Sequence, residues 1–255
     1  IFLDSSNSNT LNSNTASSNP NGFSLLSSNS STLLNNTANS NLFHGILLFS
    51  SYSNTLTNNN ASSNGDTGIL LFGSSNNNLN NNKANSNTNY GIFLTLSQNN
   101  NIYNNYFNNT NNAYDDSVNS WNTTITNGPN IIGGPYLGGN FWSDYNGSDP
   151  NQDGFGDYYL PYNSNGNIAN GGDFLPLVPF FVFCKEDLDG DGNVGILDFL
   201  ALLAAWGPNP GHPADFDNNG FVDVVDFLAL LAAWGPCPIG GQQLTDEEMK
   251  LIQTA

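Results

Sequence analysis

The sequence predicts a mainly β chain in two unlike parts, a parallel β-helix of about five coils with a cap and then a small helical module. Three observations predict it. A period of 23 residues runs through the first half, and a period of 28 relates two acidic segments near the end. Between them the composition changes. Residues 1–125 are dominated by Asn, Ser and Thr with almost no charge, whereas 17 of the 21 carboxylates lie from Asp144 onward. Only Lys83, Lys185 and Lys250 carry a positive charge, there is no Arg, and the formal net charge is −18. A chain so acidic is repelled by nucleic acid and anionic lipid, and its natural counterparts are cations. No apolar run is long enough to cross a membrane.

Residues 1–126 are expected to form the coils. Gly22, Gly45, Gly68 and Gly91 recur every 23 residues, each followed by a short apolar run at 23–26, 46–49, 69–72 and 92–96. A second column holds Leu33, Leu56, Leu79 and Ile102, and a third Ala38, Ala61, Ala84 and Phe107. Ile1, Phe2, Leu3, Leu11 and Ala16 fit one earlier, incomplete coil, so the chain opens inside an expected strand and a segment upstream is implied. A fixed period of this size means stacked supersecondary units. The runs are short and β-type, without helical periodicity. Glycine and asparagine are expected at the turns, because both tolerate left-handed backbone angles. Stacking places like residues about 4.8 Å apart, so that columns of Leu and Ile fill the interior and columns of Asn bond as ladders. The glycine–apolar–polar pattern resembles the right-handed parallel β-helix repeats of surface proteins similar to the NosD family, and that resemblance implies a right-handed coil.

Catalysis on the coils finds little support. Glycoside cleavage needs two carboxylates about 5–9.5 Å apart. Asp66 has Phe43 and Asn89 as column neighbours, and Asp4 has Ser27. Asp115 and Asp116 are adjacent and would point to opposite faces. Lys83 is the only candidate for a basic lyase residue. His44 lies one position out of column with Asp66, giving either a dyad beside the abundant serines or a plain turn contact.

Residues 127–182 break the period and are expected to form a cap, with Trp121, Phe141 and Trp142 plugging the end of the stack or offering an aromatic platform to a glycan. Within it Asp149, Asn151, Asp153 and Asp157 occupy positions 1, 3, 5 and 9 of a glycine-bent loop, and Phe155 can add a carbonyl. That suits a calcium ion; an ordinary polar turn and a catalytic acid cluster are the other readings. The segment from Gly138 to Asp157 also resembles the stretch following the coils in NosD-like surface proteins.

Residues 183–238 carry the second repeat. Asp187, Asp189, Asp191, Asn193 and Asp198 stand at positions 1, 3, 5, 7 and 12 of one loop. Asp215, Asp217, Asn219, Phe221, Asp223 and Asp226 stand at positions 1, 3, 5, 7, 9 and 12 of the other. Glycine is sixth in both. Hard oxygens at alternate positions of a wrapping loop are what calcium takes, with a backbone carbonyl from the seventh residue and a closing acid from the following helix. Two helices of nearly identical sequence follow, each ended by Gly-Pro. Cys184 and Cys237 bracket the pair, as one disulfide of an oxidising compartment or as two inert thiols. The pattern resembles type I dockerin repeats. The resemblance implies two bound Ca2+ ions, a third being offered by the cap loop, and a cohesin-like domain as partner. Such domains are often read through hydroxyl residues at loop positions 10 and 11. Here Ile196, Leu197, Val224 and Val225 stand there, either as a hydrophobic interface or as buried residues. Residues 239–255 form a tail with a capping box at Thr245 and Glu248, expected as a short helix or a docking peptide.

The function expected from all this is a non-enzymatic, secreted or cell-surface structural or adhesion protein, tethered or assembled through calcium. Neighbouring copies of the chain are the other candidate partner, because an open β-helix end invites strand pairing and head-to-tail contacts that do not close give filaments. The alternative is a polysaccharide-active lyase or hydrolase, or a glycan-binding protein, borne by the module. Copper delivery would require softer ligands than one Met, two His and two Cys provide.

Overall fold

The computed structural model describes residues 1–151, 153–179, 184–191 and 193–237. They fall into two compact units, 1–179 and 184–237. The tail with Thr245 and Glu248 lies outside the described residues.

The first unit is a mainly β solenoid of about five coils, each laying short strands or single bridges on three faces. The first face is a parallel sheet of Phe2–Asp4, Phe23–Leu26, Ile46–Phe49, Thr67–Phe72, Tyr90–Thr95 and Asn111–Asp115, in that order. The second stacks Thr10–Asn12, Thr32–Leu34, Thr55–Thr57, Asn78–Asn80 and Asn101–Tyr103. The third runs through bridges at Thr15, Thr37 and Asn60 into Lys83–Asn85, Tyr106–Asn108 and Phe141–Trp142. Because strand side chains alternate, every second residue of each apolar run enters the core. Leu25, Leu48, Leu71 and Leu94 form one fully buried column, Leu33, Leu56, Leu79 and Ile102 another, and Ala38, Ala61, Ala84 and Phe107 the narrow third. Each such Leu or Ile contributes about 1.5–3 kcal/mol by leaving water.

The repeat glycines do not serve the turns as the sequence suggested. Gly22, Gly45, Gly68 and Gly91 are absent from the left-handed positions, which Ser and Asn hold instead: Ser27, Ser50, Asn35, Asn58 and Asn81 among them. What those glycines provide is room. A Cβ on Gly45 would meet the Asn64 amide at 2.7 Å, the Ala61 Cβ at 2.8 Å and the Gly68 carbonyl at 2.8 Å.

Buried asparagines tie the coils together. Asn36, Asn59, Asn82, Asn105 and Asn140 form a ladder in which each Oδ1 accepts both the backbone N–H and the side-chain amide of the residue one coil earlier. Their Nδ2 groups also donate to the carbonyls of Leu11, Leu33, Leu56, Leu79 and Ile102. Each rung thereby satisfies turn backbone that is out of reach of water.

The first interval is 22 residues rather than 23, pairing Phe2 with Ser24, so Asp4 lies beside Leu26 and not Ser27. The cap completes a further, irregular coil. Ser120 bridges Asn101, Phe141–Trp142 pairs with Tyr106 and Phe107, and Ile168 bridges Asp115. Trp121 and Trp142 are buried, and Tyr162 stacks on Trp142 at 4.4 Å. The plug is thus Trp121, Trp142 and Tyr162, whereas Phe141 lies outside against Tyr106 at 4.6 Å. Two buried carboxylates hold the plug. Asp115 follows Leu94 in the inward column and accepts from Ser117, Asn119 and the Trp121 indole. Asp173 accepts from the Asn140 and Leu175 backbones and the Trp142 indole.

The second unit has two helices, α1 (Ile196–Ala204) and α2 (Val224–Ala232). Asn193–Val194 pairs antiparallel with Gly235–Pro236, and Gly207–Pro208 with Phe221–Val222. Val194, Leu202, Ala214, Val222 and Leu230 form its small core, over which Phe199 and Phe227 meet at 5.5 Å. Cys184 and Cys237 are joined by a disulfide with their Cα atoms 5.9 Å apart.

Candidate functional site

The two loops of the second unit are built alike. In the first, Asp187 Oδ1 accepts the N–H groups of Gly190 at 2.8 Å and Asp191 at 3.2 Å, and Asp191 Oδ1 accepts that of Asn193 at 2.8 Å. In the second, Asp215 accepts from Asn219 at 3.0 Å and Gly220 at 2.9 Å, and Asn219 Oδ1 accepts from Phe221 at 2.8 Å. Asp189 and Asp217 accept at the equivalent third position. Asp198 and Asp226, both buried, reach back from the first helical turn to the N–H groups of Leu188 and Phe216 at 2.7 Å. Gly220 takes φ +91°, the bend that a β-carbon resists.

This wrapping gathers like charges. Carboxylate oxygens of Asp187, Asp189 and Asp191 lie within 4.8 Å of one another, and so do those of Asp215, Asp217 and Asp226. The Asp191 N–H pulls the Asp189 carboxyl down, but desolvation and the charges of Asp191, Asp198 and Asp187 outweigh it and leave its pKa raised. Burial opposes ionisation of Asp198, yet the N–H groups of Gly195, Asp189 and Leu188 hold its pKa below the usual value. The Asp223 carboxylate, at the ninth position, caps α2 through one oxygen by accepting from Val225 N at 2.8 Å. The arrangement presents hard oxygens around two small centres and can hold a divalent cation at each.

The cap loop repeats the scheme at Asp149, Asn151, Asp153 and Phe155. Asp149 accepts from Asp153 at 3.1 Å and Gly154 at 2.8 Å, and Asp153 accepts from Phe155 at 2.9 Å. Burial pushes the Asp153 pKa up to about 6, with Asp149 and Asp157 adding repulsion. Its acids are not among the close three-ligand groups of the described residues, and Asn151 turns its amide nitrogen toward Asp153 and Asp157.

His44 Nδ1 lies 3.7 Å from Asp66 Oδ2, beyond hydrogen-bond distance. Burial lowers the His44 pKa, partly offset by the Asp66 charge. Ile196, Leu197, Val224 and Val225 are 51–59% exposed, so they form surface. Sequence reasoning missed how far that surface extends, through Leu200, Leu203 and Trp206 on one side and Leu228, Leu231 and Trp234 on the other. The signal was present, since a nine-residue helix apolar at every position but its third cannot bury every side in so small a unit.

Among solved structures, the periplasmic alginate epimerase AlgG matches with 20% identity and a TM-score of 0.34, over 46% of this chain. The matched region spans 31% of the epimerase's length. No curated protein matches. The family model described as periplasmic copper-binding protein (NosD) matches residues 1–147, more than half of the chain, and the protein belongs to that family.

Proposed function

We propose that this is a non-enzymatic structural or adhesion protein of the cell envelope or cell exterior, a β-helix borne on a calcium-dependent, dockerin-like docking module. The observation that carries the reading is the twofold occurrence of one loop scheme, with acids at positions 1, 3 and 12 drawn inward by backbone N–H groups. A single acidic turn occurs easily by chance; two with the same internal bonding ahead of matching helices do not. Copper is the metal in the family's description, but the donors here are hard carboxylate oxygens. His44 and His212 lie in different units, and both cysteines are oxidised. Those donors favour calcium. The exposed apolar sides of α1 and α2 fit a cohesin-like partner that reads apolar side chains at loop positions 10 and 11. The family description and the disulfide both support an oxidising compartment.

Without metal the clustered acids repel and the core is small, so metal binding should be coupled to folding. Limited proteolysis with mass spectrometry tests this. Calcium should protect 184–237 from cleavage and chelator should expose it while the coils stay intact. Equal cleavage with and without calcium would defeat the proposal.

A further inference from the structure

The first face of the solenoid differs from the second on its outward side. The second face shows Thr10, Thr32, Thr55, Asn78 and Asn101 at one outward column. The first shows Phe2, Ser24, Leu47, Leu70, Phe93 and Tyr114 in one column, and Leu26, Phe49, Phe72 and Thr95 in the next. Phe2, Phe49 and Phe72 remain 61%, 43% and 38% exposed. Charged side chains in these columns stand only at the ends, Asp4 and Asp116. A contiguous apolar face of this extent on a soluble unit marks an interaction site.

The chemistry of the face narrows its occupant. Phe49 and Phe72 stack at 5.0 Å and 1°, and Phe93 and Tyr114 at 4.4 Å and 9°. Their π-faces are spent on each other and ring edges point outward, so the stacking that a sugar ring requires is not offered. Lys83 belongs to the third face, leaving no cation here for a lipid headgroup. The strands already pair along the stack, so the face does not add a strand. It offers a flat, uncharged corrugation with a repeat of about 4.8 Å. A second copy carries the same corrugation, and two such sheets pack face to face about 10 Å apart. Six strands of three to six residues give roughly 24 by 17 Å, about 400 Å² per copy. Adding flanking turn residues such as Phe43 and Tyr52 brings the total for two copies to about 1,000 Å², the lower bound of a specific interface.

We propose that the outward side of the first face is the surface through which two copies of this chain pair, sheet against sheet about a two-fold axis. The contact is weak and independent of calcium, and it strengthens with salt because two acidic chains approach each other. It involves residues of the first unit alone, and its failure would leave the docking reading untouched.

Sedimentation velocity of the full chain tests it, in chelator and in calcium. The expected result is a doubling of mass at rising concentration in both buffers. The paired substitution Leu47→Thr with Leu70→Thr should abolish the doubling, and Thr32→Ser on the second face should leave it unchanged. Should the paired variant fail to fold, Leu70→Cys provides the check, because a short bifunctional maleimide should join two copies through it. A chain monomeric at every concentration, a folded paired variant that still dimerises, or association lost in chelator would overturn the proposal. So would a monomeric chain that this face fixes to a neutral glycan.

Discussion

Removing one rung of the buried asparagine ladder should cost far more than an ordinary point substitution. Asn82 is buried, and its side chain makes four hydrogen bonds. Oδ1 accepts from Asn59 N at 3.0 Å and Asn59 Nδ2 at 2.9 Å, while Nδ2 donates to Leu56 O at 2.9 Å and Asn105 Oδ1 at 3.0 Å. Asn105 Oδ1 keeps the Asn82 backbone donor at 2.9 Å after truncation to alanine. The Asn59 N–H and one hydrogen of its amide are then left without acceptors, while the Leu56 carbonyl stays in the strand ladder. Two buried orphans at about 1–3 kcal/mol each give about 2–6 kcal/mol. A water entering the space would recover part of this, so the expected loss lies near about 2–4 kcal/mol. The control is Asn58→Gly in the exposed stack where the Asn58 and Asn81 amides each donate to the asparagine one coil earlier; φ there is +56° and glycine keeps the backbone. Its loss should stay within about 1 kcal/mol. Urea unfolding followed by circular dichroism measures both. A loss of about 1 kcal/mol or less for Asn82→Ala would refute the reasoning that the ladder satisfies buried backbone.

Three further outcomes follow from the same geometry. Gly45→Ala should destabilise the coils by several kcal/mol, because its Cβ meets backbone and packed side chains below 3.0 Å, whereas Gly73→Ala, with nothing nearer than 3.8 Å, should cost only its left-handed strain of about 1 kcal/mol; thermal melts separate the two. Burial raises the Asp173 pKa from 3.8 to about 6 against the pull of its N–H donors. A carboxyl with a raised folded pKa binds protons more readily folded than unfolded, so its contribution to stability grows as pH falls from about 6 to about 4 and is lost as pH rises through that window. Asp173→Asn should therefore flatten the dependence of melting temperature on pH between 4 and 6 relative to the unsubstituted chain. Calcium at a hundredfold excess over its dissociation constant should stabilise the second unit by about 2.7 kcal/mol per site, a shift that chelator reverses in the same melts.

Much of the solenoid was legible because one period governs both spacing and chemistry. A residue that recurs every 23 positions must recur at the same place on every coil, and the inward Leu and Ile columns follow from that alone. What one period could not reveal was anything depending on the third dimension. The glycines looked like turn residues, but a Cβ at those positions collides with the coil above, a fact visible only once the coils are stacked. The Leu-Leu runs read as core, yet strand alternation sends every second one outward and makes an apolar face. Asn140 escaped notice because an insertion after Ser120 puts it 35 residues, not 23, beyond Asn105, although it occupies the same rung. Asp173 carried no expectation and Asp115 was weighed only beside its neighbour Asp116; the buried indoles of Trp121 and Trp142 explain the positions of both. In the second unit the grouping of the loop acids was legible, because the acids of each loop lie within twelve residues of its first. The capping role of Asp223 was not, since it depends on where α2 begins.

The central claim, that the paired loops hold calcium, is tested most directly by titrating calcium into the chelator-stripped full chain in a calorimeter. The account predicts at least two ions per chain, with one lost on Asp187→Ala and another on Asp215→Ala, each leaving the other loop competent. Heats that show no saturable binding, or binding that survives both substitutions together with unchanged stoichiometry, would contradict it.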